Sequence, residues 1–294
     1  MQCSKCHRDA TIFQPYSGLH LCDQHLVADV EAKAKKMIRA QGWLRPGDHI
    51  GVLLSRDPRS SALLYFLKKL TAQRRDIRIT AITIIGRGDS CKDALTAKRI
   101  AECLDTELLE LSLPEISGNG RADDPGKDPD LSSVSPLPTH SPKACSPELN
   151  GFAQQHGITR IAGEVCLDEV AGMVLESIIR GDAEKLVRNR PGQEIFPRIC
   201  PFIAVSAAEV SRYAELCGFN GEKSLPGQGD RLHKDTIDLL DRYTGNHPAT
   251  RYALMNLGEN LAFPRGITGL IQAYESGQGC DEDRIPYEVM NGTR

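Results

Sequence analysis

Four side chains near the N-terminus have the types and the spacing to hold a metal ion. Cys3 and Cys6 form one Cys-x2-Cys pair, and Cys22 and His25 form a second pair beyond residues 7–21. Zinc takes four ligands at tetrahedral corners, and residues spaced by two supply two corners without backbone strain. Two short-spaced pairs facing each other are hard to obtain from unrelated cysteines. With four protein ligands such a site is structural, because no position stays open for a substrate. So small a unit buries too little apolar surface to fold alone, and zinc binding is expected to supply part of its folding free energy.

The elements that must carry these residues follow from hydrophobic periodicity. Leu26, Val30, Ala34, Met37 and Ile38 recur at helical spacing and are followed by Gly42 and a Pro46-Gly47 turn. Strand and helix patterns then alternate. Strands are expected at 49–55, 76–85, 107–113, 158–165 and 198–205, and helices at 60–70, 89–104, 146–156 and 168–180. That order calls for an α/β fold, a Rossmann-like doubly wound parallel sheet with helices on both faces. Residues 114–143, rich in Gly, Pro, Ser and Asp, are read as a disordered insert. Further helices are expected at 209–217, 234–243 and 250–261. The resulting division is a Cys₃His zinc knuckle at 1–25, a connecting helix at 26–45, an α/β domain at 46–216 and a helical C-terminal region at 217–294.

Composition narrows the function classes. The chain is 40% hydrophobic and 26% charged, as ordinary globular proteins are. Thirty-six basic against thirty-nine acidic residues give a net charge of −3, so no global field draws the chain onto nucleic acid, although a local basic patch is allowed. No apolar run is long enough for a membrane span, and Met1–Cys6 has no apolar stretch to act as a signal peptide. A soluble cytoplasmic protein is expected. In that setting paired cysteines read as metal ligands before they read as disulfides.

A Cys₃His knuckle, a connecting helix and the strand-to-helix run GVLLSRDPRSSALLYFL (51–67) together resemble the tRNA two-thiolation sulfurtransferases of the adenylating PP-loop superfamily. Further segments carry the resemblance: Gly163 with Leu167-Asp168-Glu169 and the apolar helix after it, Arg198-Ile199-Cys200-Pro201-Phe202, and His247-Pro248-Ala249-Thr250-Arg251-Tyr252. It extends over roughly residues 1–261 and implies a fold like that of the adenine nucleotide alpha-hydrolases. The implied chemistry is ATP- and Mg-dependent adenylation of a tRNA base, loss of pyrophosphate and replacement of oxygen by sulfur. A [4Fe–4S] cluster on three cysteines delivers that sulfur in similar members. The implied partners are tRNA and a sulfur-carrier protein or an intact thiolation paralogue.

Carried over position by position, much of that machinery is altered. The family's phosphate loop, Ser-Gly-Gly-x-Asp-Ser, becomes Ser55-Arg56-Asp57-Pro58-Arg59-Ser60. Glycines let backbone N–H groups approach phosphate at a helix N-terminus. Here Arg56 and Asp57 restore Cβ atoms, Pro58 removes a donor, and Asp57 adds negative charge. The candidate nucleotide-binding residues are therefore Ser55, Arg56, Arg59, Ser60 and Ser61, with the two arginines offering guanidinium forks to an anion. Cys145 takes the first cluster position, Glu148 the second, and no cysteine falls near 222–224. The family's Gly-His-Asn becomes Gly163-Glu164-Val165, and of its Asp pair only Asp168 remains. The catalytic candidates are thus Asp168 and Cys145.

Cys166 falls just past the strand 158–165, Cys200 lies in the strand 198–205 at the position of the family's Lys, and Cys145 keeps the first cluster position. The resemblance implies that the three converge at the carboxyl end of the sheet, where parallel sheets place function. They are a candidate second metal or cluster site, set against the plainer reading of small buried hydrophobes. Cys91, Cys103 and Cys217 read as packing residues, and His20 as a surface neighbour of the knuckle. Lys33, Lys35, Lys36 and Arg39 form either a solvated helix face or a tRNA-facing stripe. Three functions fit: a non-catalytic tRNA- or partner-binding member, a thiolation enzyme with a divergent loop, and a regulatory anion-binding scaffold.

Overall fold

The computed structural model describes residues 1–85, 90–112, 147–181, 196–221 and 231–261. The chain opens with an antiparallel hairpin, β1 (Ile12–Gln14) and β2 (Leu19–Leu21), which runs into the long helix α1 (Asp23–Gln41). Gly42 ends α1 in the left-handed region at φ 60°, a conformation glycine adopts without steric cost. Then come β3 (His49–Leu53), α2 (Pro58–Thr71), β4 (Arg78–Ile85), α3 (Ser90–Cys103) and β5 (Leu108–Ser112). After them follow α4 (Pro147–Gln155), β6 (Arg160–Ala162), α5 (Leu167–Ile179) and β7 (Arg198–Ile199). Three helices complete the described chain: α6 (Ala207–Leu216), α7 (Arg231–Asn246) and α8 (Thr250–Leu261).

The expected parallel sheet is present, with strand order β5-β4-β3-β6-β7. β3 lies at its centre, and chain order runs outward to β5 on one side and to β7 on the other. The loops after β3 and β6 therefore leave the sheet at its topological switch point, where open α/β sheets form a crevice. Gly51 is what allows β3 to pack there: a Cβ at this position would lie 2.5 Å from Ile82 Cδ1 and 3.1 Å from Ile158 Cδ1.

One strand expectation is corrected. The run 198–205 pairs only over Arg198–Ile199 and then folds into tight turns, with Ile203 N–H on Cys200 O at 3.1 Å and Val205 N–H on Phe202 O at 2.8 Å. Pro201 lacks the N–H that would continue the ladder. The apolar pattern nevertheless reads correctly as interior, because Cys200, Phe202, Ile203 and Val205 are all buried. The insert at 114–143 and the chain beyond 261 lie outside the described residues. The larger of two apolar clusters runs from Leu21 and α1 through the α/β layers to Met255 of α8, so the connecting helix is itself part of the core, while a smaller one gathers Ile82, Leu149, Ile158 and Ile161.

Candidate metal centre and phosphate loop

All four expected ligands come together. A tight turn places Cys6 N–H on Cys3 O at 3.3 Å, and Ser4 pairs with the β2 backbone at His20. This turn sets the first Cys pair against the end of β2. Cys22 is the N-cap of α1 and His25 lies in its first turn, so helix geometry brings that second pair to the same point. Cys3 Sγ lies 3.4 Å from His25 Nδ1, Cys22 Sγ 3.4 Å from the same nitrogen, and Cys6 Sγ 3.7 Å from Cys22 Sγ. All four donor atoms lie within 4.8 Å of one another. Ligands about 2.3 Å from a tetrahedral zinc would be spaced by about 3.8 Å, so the donor set has the size of a zinc site. Loss of solvation would raise the Cys3 thiol, but hydrogen bonds from Lys5 N–H, the Cys22 backbone and His25 outweigh it and lower its pKa to about 6. A thiolate is the form a metal binds. His20 is no ligand; it stacks on Phe13 at 4.6 Å.

The phosphate loop is filled from within. Asp57 caps α2, its carboxylate accepting the Arg59 N–H at 2.9 Å, and Pro58 opens the helix. Arg59 turns back on the same residue, donating from Nε at 2.9 Å and Nη2 at 2.7 Å to Asp57 Oδ2. Its Nη1 reaches Glu169 Oε1 at 2.7 Å and Cys166 Sγ at 3.3 Å across the crevice. Ser60 Oγ accepts the Ser55 N–H at 3.1 Å and donates to Asp57 O at 2.8 Å, while Ser61 is buried. Ser55 Oγ donates to Glu164 Oε1 at 3.1 Å, spanning β3 to β6. The backbone carbonyl of Arg56 packs beside Gly221.

This corrects the expectation that Arg59 offers an open fork to an anion. Its donors face two carboxylates and a thiol, and its side chain is only 10% exposed. Burial, and next the Asp57 carboxylate, push Glu164 up to about 8 against the pull of Arg59, so Glu164 is neutral at pH 7. The carboxyl groups of Asp57 and Glu169 both face the one guanidinium of Arg59. A triphosphate needs N–H donors and positive potential. This loop presents a carboxylate at the helix N-terminus, so its residues do not fit the phosphates of ATP in the manner of a PP-loop.

The retained Asp168 ties helices together. Its Oδ2 accepts the Ala207 N–H at 2.6 Å, at the start of α6, and its Oδ1 pairs with Arg251 Nε of α8 at 3.0 Å. Cys166 and Cys200 do lie beyond the carboxyl ends of β6 and β7, both buried, whereas Cys145 is outside the described residues. Cys166 caps α5, and burial, then the Glu169 charge, raises its thiol well above the ordinary value. Its Sγ accepts from Arg59 Nη1 at 3.3 Å and lies 3.4 Å from Glu164 O. Among the described residues, the N-terminal quartet is the group with three or more converging metal donors. Cys217 is half-buried as expected of a packing residue. Cys103, read the same way, is exposed, lying at the last turn of α3, and the side chain of Cys91 is outside the described residues.

The basic run on α1 is not a free stripe. Lys33 is held by Asp29 at 2.7 Å and Glu209 at 3.0 Å, and Lys35 by Glu31 at 3.2 Å, leaving Lys36 and Arg39 exposed. Sequence reasoning missed the acceptors. Glu209 and Glu169 each stand three residues after an N-cap, in Ser206-x-x-Glu209 and Cys166-x-x-Glu169. That capping-box spacing was the available signal.

Residues 2–27 match the family described as "2-thiouridine synthetase TtuA, N-terminal LIM domain". The chain is 28% identical to "tRNA 2-thiolation protein NcsA" of Haloferax volcanii, over 89% of this chain and 87% of that protein. It is 26% identical to "tRNA-5-methyluridine(54) 2-sulfurtransferase" of Pyrococcus horikoshii, over 86% of this chain and 80% of that protein. In fold it resembles the U34-tRNA thiolase NcsA of Methanococcus maripaludis, solved with its [4Fe–4S] cluster. The TM-score there is 0.73 at 21% identity, over 89% of this chain and 88% of the other.

Proposed function

We propose that this chain, similar to the TtuA/NcsA-like tRNA 2-thiolation proteins, binds tRNA without itself carrying out the ATP-dependent adenylation. The relatives are named for tRNA thiolation, which makes tRNA the partner class. The observation that carries the non-catalytic reading is the Asp57 carboxylate at the N-terminus of α2, locked by Arg59 to Glu169. Adenylation requires the α-phosphate and the departing pyrophosphate to be held by donors in that loop. Here the donors are engaged by protein carboxylates, and entry of a phosphate would set anion against anion. The thiol of Cys166 is engaged by the same arginine at 3.3 Å.

Zinc is the metal that the Cys₃His donor set favours, because two or more thiolates with an imidazole suit a tetrahedral borderline-soft ion. Its role here is to cross-link the hairpin to α1. Cys3, Cys6, Cys22 and His25 would fill all four positions.

The test is calorimetry of Mg-ATP on metal-replete, anaerobically purified protein, with and without tRNA. The expected result is no Mg-dependent ATP binding, together with tRNA binding that weakens steeply with salt as phosphate contacts are screened. The triple variant Arg56→Gly, Asp57→Gly, Arg59→Asp, which rebuilds the family loop, is expected to gain ATP binding. Mg-dependent ATP binding with pyrophosphate exchange by the unaltered protein would overturn the proposal and establish an active enzyme with a divergent loop. Absence of tRNA binding would overturn it in favour of a protein–protein scaffold.

A further inference from the structure

The metal knuckle is locked to the α/β domain through one buried carboxylate. Glu209 on α6 is 2% exposed, and its Oε1 receives Tyr16 OH at 2.8 Å, Lys33 Nζ at 3.0 Å and a short hydrogen bond from Gln14 Nε2. Its Oε2 accepts the Ser206 N–H at 3.1 Å and Ser206 Oγ at 2.7 Å. Gln14 and Tyr16 belong to the hairpin, and Lys33 belongs to α1, where it also meets Asp29 at 2.7 Å. Gln14 Nε2 bonds the same Asp29 at 2.9 Å. Tyr16 further packs edge-on to Tyr252 of α8 at 4.9 Å. Five polar groups from three separate elements thus meet around Glu209, Asp29 among them.

The geometry has a consequence for the metal. Cys22 and His25 sit at the junction of β2 with α1, and Gln14 is register-paired with Leu19 of β2. Glu209 holds the hairpin through Gln14 and Tyr16, and α1 through Lys33. It therefore fixes the angle between the two elements whose junction supplies half of the ligand set. We infer that Glu209 is a positioning residue for the metal centre, coupling metal affinity to the packing of α6 and α8. Because such coupling is reciprocal, whatever loosens the Glu209 cluster weakens metal binding by the same factor that metal removal loosens the cluster.

Zinc affinity, measured by competition with a chromogenic chelator on the full-length protein, tests this. Glu209→Ala leaves Lys33, Gln14 and Tyr16 without their shared acceptor and is expected to weaken zinc binding roughly ten- to a hundredfold. Glu209→Gln keeps an acceptor but loses the charge and is expected to fall between the two, which guards against a Glu209→Ala protein that does not fold. Gly51→Ala, which perturbs the sheet core away from the knuckle, is the control and is expected to leave zinc affinity unchanged. Unaltered affinity in both Glu209 variants, or equal weakening in Gly51→Ala, would overturn the coupling while leaving the metal centre intact. Failure of the unaltered protein to take up stoichiometric zinc would overturn the zinc reading of the quartet as well.

Discussion

A carboxyl group is only as acidic as its surroundings permit, and the crevice between β3 and β6 makes Glu164 a weak acid. Burial and the neighbouring Asp57 raise it to about 8, above the value of about 4.3 expected for an unfolded chain. The native protein therefore binds more protons here than the unfolded one between those limits. Stability from this group is complete below the unfolded value and is lost as pH rises toward and through 8, with a slope of up to about 1.4 kcal/mol per pH unit. Glu164→Gln is expected to remove that slope, seen as a smaller difference between urea midpoints at pH 5.5 and pH 7.5 than in the unaltered protein. An identical pH difference in both would assign the slope to other groups. The sequence made this residue visible only as a departure from Gly-His-Asn. Its chemistry depends on Ser55 and Asp57, which lie more than a hundred residues upstream. The metal quartet was legible because its members lie within 25 residues and their spacing alone implies geometry. The Asp57–Arg59–Glu169 lock was not, because the arginine and its distant carboxylate meet only after the sheet has formed.

At the scale of elements, periodicity located the five sheet strands and the helices but not the short hairpin strands β1 and β2, and errors gathered where local chemistry overrode it. The apolar run after Arg198 looked like a buried strand, and Pro201 turned it into a buried turn. Helix ends shifted by a few residues because caps set them: Asp57 starts α2 earlier than hydrophobicity suggests, and Ser206 with Glu209 starts α6. The central strand depends on one missing side chain. Gly51→Ala would push a methyl group into Ile82 and Ile158, and such overpacking typically costs about 1–3 kcal/mol. Urea unfolding is expected to show a lowered midpoint with unchanged m-value. A midpoint equal to that of the unaltered protein would mean that the two isoleucines move aside without cost.

At the scale of the whole molecule, contacts tie the expected knuckle, linker helix, α/β domain and helical end to one another. The larger apolar cluster joins Leu21, α1, the sheet and Met255, and polar ties join Asp168 to Arg251 and Glu209 to the hairpin. The separate pieces were plausible from sequence because each has its own pattern, whereas the contacts joining them leave no local trace. One cooperative unit should melt once: zinc removal is expected to lower the melting temperature of the entire chain, with near- and far-ultraviolet dichroism changing together. A separate low-temperature transition confined to the N-terminal residues would contradict that. The Glu209 cluster also has a bearing on how the protein is made. Gln14 leaves the ribosome long before Glu209, at chain growth of about 5–20 residues per second. The four metal ligands are translated within a few seconds of one another at that rate. Their docking surface follows roughly ten seconds or more later. A nascent chain thus passes through an interval in which its thiols have emerged and their support has not, and early capture of a metal ion would shield those thiols from oxidation until α6 arrives.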